Sequence, residues 1–140
     1  MAGSLNKVLL IGRIGNDPEI KKMQNGKSVA RLSVATSESW KDKNTGERKE
    51  KTEWHRIVIF SPNLVSLTKS YVRKGSKLFI EGSLQTRKWT DNQGVEKFTT
   101  EIALQNFNST LQILDSRDRN QSSDSSYSSN KSRNDVSVEE

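Results

Sequence analysis

Cysteine is absent from this 140-residue sequence and histidine occurs once, as His55. Disulfides and thiolate metal sites are thereby excluded, and too little is left for a zinc cluster or a nucleophile triad. His55 as a catalytic base lacks any neighbour in sequence that could orient it or supply a nucleophile, so an enzyme is not expected and no cofactor is implied. No run approaches the roughly 20 apolar residues of a membrane span. The segment ahead of Val8 is too short for a signal peptide, which favours an intracellular, cytoplasmic protein. Proline occurs twice, as Pro18 and Pro62, and apolar residues make up only 31% of the chain.

The aromatics are few but oddly placed. Trp40 lies in S-E-S-W-K-D-K, Trp54 and Phe60 in T-E-W-H-R-I-V-I-F, and Trp89 in T-R-K-W-T-D. An indole flanked by lysine and arginine is a poor core residue but a good platform for an unpaired base, with cations close by for the phosphates. Residues 1–114 carry 19 Lys+Arg against 11 Asp+Glu, a net +8, whereas residues 115–140 carry 4 against 6, a net −2. A domain this basic suits a polyanion bound through counterion release. The same charge would also keep a protein soluble with no partner at all.

Period-two alternation predicts a mostly β domain. Asn6–Ile14 reads as a bent strand with Val8, Leu10 and Gly12 on one side and Leu9, Ile11 and Arg13 on the other. Glu19–Met23 and Ser28–Thr36 flank Gln24-Asn25-Gly26, a hairpin signal. On the second arm Ala30, Leu32 and Val34 face the core, and Arg31, Ser33 and Ala35 face solvent or ligand. Ser37–Thr52 has no apolar residue but Trp40 and reads as a long mobile loop. In Glu53–Phe60, residues Trp54, Arg56, Val58 and Phe60 point one way and His55, Ile57 and Ile59 the other. Ser61-Pro62 starts a helix with an apolar stripe of Leu64, Leu67, Tyr71 and Val72, which Gly75 is placed to end. Lys77–Leu84 is a strand that continues through Trp89, turns at Asp91–Gly94 and returns as Glu96–Asn106; a short run, Leu111–Leu114, closes the domain.

Five strands with one helix between the third and fourth is the order of the OB-fold, an all-β barrel whose sheet face and loops take up oligonucleotides. Residues 1–114 form that domain. Residues 115–140, with nine serines and three apolar residues, are too polar to offset the entropy of ordering and are expected to be a disordered tail.

The blocks N-K-V-L-L-I-G-R-I-G-N-D-P-E, N-G-K-S-V-A, A-T-S-E-S-W-K-D-K-N-T-G-E, T-E-W-H-R-I-V-I-F, R-K-G-S-K-L-F-I-E-G and T-R-K-W-T-D, spread from about Leu5 to Leu114, resemble the bacterial single-stranded DNA-binding proteins of the homotetrameric OB-fold type. The resemblance implies sequence-nonspecific binding of single-stranded DNA in replication, recombination and repair. It implies that Trp40, Trp54, Phe60 and Trp89 stack on bases, that Lys43, Arg56, Arg73, Lys74, Arg87 and Lys88 contact phosphates, and that His55 lies at a subunit contact of a homotetramer. Members of that family usually finish on an acidic stretch with a hydrophobic-proline-phenylalanine tip that recruits replication and repair proteins. This sequence finishes N-D-V-S-V-E-E, so either a shortened chain or a diverged tail is implied, and docking through that tip is not expected to follow the family pattern.

Three other readings compete. An RNA-binding OB domain separates from the first by competition between DNA and RNA oligomers. A nuclease needs clustered His, Asp or Glu, which no predicted face supplies. A purely structural oligomer has no salt-dependent affinity for oligonucleotides.

Overall fold

The computed structural model describes residues 3–115. Its elements are β1 (Val8–Ile14), β2 (Glu19–Lys22), β3 (Ser28–Lys41), β4 (Arg48–Ile59), α1 (Pro62–Tyr71), β5 (Lys77–Thr90), β6 (Glu96–Leu104) and β7 (Thr110–Ile113). The sheet runs β1-β3-β4-β6-β5-β7, and β1 pairs with β5 as well as with β3, which closes it into a barrel. The closed part is β1, β3, β4, β6 and β5, with β2 added on β3 and β7 on β5. One short helix joins the third barrel strand, β4, to the fourth, β5. This is the OB-fold expected from the sequence.

Closure follows from the alternation. Val8, Leu10 and Gly12 of β1 face Gly82, Ile80 and Leu78 of β5 across the core side, and Ala30, Leu32 and Val34 meet Ile57 and Ile59 of β4 from the same side. Ile57, Ile59, Leu78, Ile80 and Leu104 are fully buried, each stabilising the fold by about 1.5–3 kcal/mol relative to exposure. Gly12 lets β3 cross close to β1: a Cβ there would collide with the backbone carbonyl oxygen of Ala35.

The segment Ser37–Thr52 is not a loop. The ladder between β3 and β4 runs unbroken from Ala30↔Ile59 to Lys41↔Arg48, and only residues 42–47 turn, with Asp42 Oδ1 accepting the Asn44 N–H at 2.8 Å. Both faces of this ribbon are solvated, so no apolar alternation marks it, and backbone pairing carries it instead. The helix also differs at its end. It stops at Tyr71, and Gly75, with φ +90°, lies in the turn beyond rather than at the cap. The Ser61 hydroxyl makes no cap hydrogen bond. The buried stripe is Val65, Thr68 and Val72, with Leu64 and Leu67 partly covered, whereas Tyr71 is exposed. Tyr71 falls on the flank of that stripe.

At the end of the described chain Asp115 accepts the Lys77 N–H at 2.9 Å and sits 3.8 Å from Arg13, tying this residue to the barrel. The remainder of the serine-rich segment, expected to be disordered, lies outside the described residues.

Candidate nucleic-acid interface

The ladder registers assemble one outer face from four strands. Ser33 pairs with Arg56 and Ala35 with Trp54, so the β3 positions 31, 33 and 35 share a side with Trp54, Arg56 and Val58. The parallel match Ile57↔Ile102 places Glu101 next to Arg56 on that side. Glu101 pairs with Gln85, and Thr99 with Arg87, which adds Arg87 and, two residues on, Trp89. Trp54, Arg56, Arg87 and Trp89 thus lie on one surface, with Glu101 between them.

Trp54 is 59% exposed, yet its ring is not free to wander. It lies over Gly15, where a Cβ would come within 2.6 Å of the indole, so the glycine provides a flat seat. The seat follows β1 directly, its N–H bonded to Ser33 O at 2.9 Å, and Trp54 pairs with Ala35, so β3 holds ring and seat together. Trp89 is fixed by its Nε1–H, which donates to Thr99 Oγ1 at 2.8 Å. Both indoles offer a face to solvent in a held orientation, which lowers the entropic cost of stacking a base. Phe60 follows the last residue of β4 and is half-buried, its N–H bonded to Leu104 O at 2.8 Å. Trp40 is exposed but pairs with Lys49 and has the parity of His55, so it projects from the opposite side of the β3–β4 ribbon to Trp54. The structure therefore groups Trp54 with Trp89 and sets Trp40 apart on the arm.

The basic residues fall into three states. Arg56 is exposed and makes no side-chain hydrogen bond or ion pair among the described residues; Lys43 stands exposed in the turn of the ribbon. Arg87 is engaged: its Nε and Nη2 donate to the Glu101 carboxylate at 3.2–3.3 Å, with Glu101 only 7% exposed. Lys88 meets Glu96 at 3.4 Å, both ends well exposed, a pair worth at most a fraction of about 1 kcal/mol. Arg73 turns its guanidinium onto the carbonyls of Lys69, Ser70 and Val72 at the end of α1. The Lys74 N–H donates to Asp17 Oδ1 at 2.7 Å and the Gly75 N–H to Ile14 O at 2.9 Å. That turn is consequently held against the end of β1, one residue from the seat of Trp54.

His55 lies on the other side of β4, half-buried, with Nε2 2.9 Å from Thr36 Oγ1. Two carboxylates titrate low for local reasons. Asp91 accepts the backbone N–H groups of Val95 and Gln93, which hold its carboxyl below the usual aspartate range. Glu81 is held down by hydrogen bonds from Lys7, 2.7 Å away, and from Thr110. Asp91 organises the turn between β5 and β6, the hairpin that carries Trp89.

Two side chains lie outside the stacking and phosphate-contact set expected from the sequence. Phe98 is 69% exposed, paired with Lys88 on the reverse of the β5–β6 hairpin from Trp89; its flanking Lys97 gave the same signal as the tryptophans. Arg31 shares the face of Trp54 and Arg56 through the β3–β4 register; the alternation Arg31-Ser33-Ala35 indicates only its side of its own strand.

The sequence matches the family model "Single-strand binding protein family" over residues 5–110. The chain belongs to the single-strand binding protein family. It is 64% identical over 126 residues to the single-stranded DNA-binding protein of Rickettsia prowazekii, covering 90% of this chain and 83% of that one. With the protein of the same description from Rhizobium meliloti it shares 57% identity over 117 residues, 84% of this chain and 67% of the relative. Among solved structures it resembles the Plasmodium falciparum SSB complex with ssDNA, with TM-score 0.72, 48% identity, and 82% of this chain and 99% of that chain covered.

Proposed function

We propose that the chain binds single-stranded DNA without sequence preference and protects it during replication, recombination and repair. The observation that carries this is the joint placement of two held, solvent-facing indoles, Trp54 and Trp89, with Arg56 and Arg87 on one barrel face. Bases stack on Trp54 and Trp89 at about 1–3 kcal/mol each, and Trp40 and Phe60 extend the track onto the ribbon and past the end of β4. Arg56, Lys74 and Lys43 take phosphates directly. Arg87, Arg73 and Lys88 do so by exchanging Glu101, the carbonyls at the end of α1 and Glu96 for phosphate oxygens. Stacking reads no base edge, so discrimination is against duplex, whose ring faces are covered, and not between sequences. The work is binding and needs no catalysis.

Assembly is proposed to be a homotetramer. On the outer face of β1, Leu9 and Ile11 are 58% and 55% exposed, with Phe79 paired beside Ile11, an apolar strip in want of a cover. His55, on the face of β4 away from Trp54, is assigned to a subunit contact. A cytoplasmic, nucleoid-associated location is proposed with this function, and the basic character of residues 1–114 supports it.

The test is competition. With a labelled dT oligomer bound, unlabelled dT is expected to displace it at far lower concentration than matched rU or duplex DNA. Equal displacement by rU would favour the RNA-binding reading, and no binding of dT would end the proposal. Sedimentation gives the oligomeric state in the same buffer; a monomer at micromolar concentration contradicts the tetramer.

A further inference from the structure

We infer that Arg31 is a further phosphate-binding residue, acting with Arg56 as a two-guanidinium clamp in the groove beside Trp54; this rests on the single-strand reading above. Four observations converge. Arg31 pairs with Val58 and Ser33 with Arg56, so the two arginines are diagonal neighbours on one face, about 7–8 Å apart at the backbone, within reach of a common ligand. Both line a groove of about 310 Å³ together with Asn16, Ser33 and Glu101, roomy enough for a phosphodiester. Arg56 is exposed without an ion pair among the described residues. Arg31 Nε is shut away from solvent with no hydrogen-bond partner among the described residues.

The last point decides the role. A guanidinium that only supported the fold would be expected to have an acceptor, because a buried donor left unpaired is costly. Glu19, which pairs with Arg31 in the ladder, and Asp17 both border the groove. Neither carboxylate forms a hydrogen bond or ion pair with Arg31, and Asp17 is given over to the Lys74 N–H. The resting rotamer of Arg31 is held by packing alone. Turning its fork toward the groove breaks no hydrogen bond and gives Nε and Nη a bidentate acceptor when a phosphate enters. Glu101, which already holds Arg87, limits how many phosphates the groove admits, so one phosphate between Arg31 and Arg56 is the expected occupancy.

The experiment is a salt titration of dT-oligomer binding to wild-type protein, Arg31→Ala and Trp54→Ala. The slope of log K against log salt is expected to shrink by about 0.7 in Arg31→Ala, one phosphate on a single strand, with affinity at low salt several-fold weaker. Trp54→Ala is expected to weaken binding with the slope kept. If Arg31→Ala matches wild type in slope and affinity while Trp54→Ala still loses affinity, the clamp is wrong and the single-strand reading stands. If wild-type protein fails to bind dT at all, the underlying reading is what failed. A measurement on the unsubstituted protein guards against a folding defect: the assigned Arg31 Nε–H resonance is expected to shift on adding the dT oligomer. A resonance that stays put at saturation overturns the proposal.

Discussion

The β3–β4 pair is two structures on one ladder. Near the barrel, Ala30, Leu32, Val34, Ile57 and Ile59 are buried on one side; beyond Thr36 and Glu53 the same ladder continues with both sides in water. The first stretch is held by burial and the second mainly by backbone pairing, with help such as the Ser37 and Thr52 hydroxyls at 3.0 Å. The candidate interface begins where one regime gives way to the other, at Trp54 and Arg56. A binding face built at that border gains a rigid seat from the barrel while keeping its rings and charges exposed. The β5–β6 hairpin repeats the arrangement, with Ile80 and Leu104 inside the barrel and Arg87 and Trp89 out on the arm.

That contrast makes the two regions separable by substitution. Ile80→Ala, in the buried part of β5, is expected to cost about 2–5 kcal/mol of stability, read by denaturant unfolding, while the fraction still folded binds dT as before. Weakened binding by the folded fraction would show that core and face are not independent. Trp54→Ala reverses the pattern: about 1–3 kcal/mol of binding is lost and the unfolding midpoint barely moves. A smaller effect follows from the seat. Gly15→Ala places a methyl against the indole, so Trp54 must tilt, and affinity is expected to fall by less than in Trp54→Ala; no change would mean that the ring's position is not set by Gly15.

The smallest predicted effect concerns acid and the second arm. Folding depresses the pKa of Asp91 through the Val95 and Gln93 N–H groups. Its contribution is therefore complete at neutral pH and is lost as pH falls through and below the usual aspartate range. Amide exchange at Gln93 and Val95 is expected to quicken there, ahead of any exchange in β1 or β7. Simultaneous opening of all three would mean that the arm is not a separate unit of stability.

How the chain reads as a sequence divides along the same border. Where one side of a strand is buried, alternation was sufficient: Leu78, Ile80 and Gly82 against Phe79 and Glu81, and Ile57 and Ile59 against Trp54 and Arg56, are placed as the residues indicate. Where both sides are wet, as in Glu38–Lys41 and Arg48–Lys51, composition carries no period and the strands read as loop. The tryptophans were recognisable from their cationic neighbours, but the face each occupies was not equally so. Trp54 could be assigned through Ile57 and Ile59, whereas Trp40, on a segment without pattern, turns out to share a side with His55. Pairings between distant residues, such as Arg87 with Glu101 or His55 with Thr36, left no trace in the local sequence. Those contacts depend on register, which the closed barrel sets.

The most direct test is the intrinsic tryptophan emission of the intact chain during titration with oligo-dT at two salt concentrations. Stacking on the exposed indoles predicts strong quenching at saturation under both conditions, with the midpoint moving to higher oligomer concentration as salt rises. Emission unchanged at saturating DNA, or a midpoint indifferent to salt, would contradict the account.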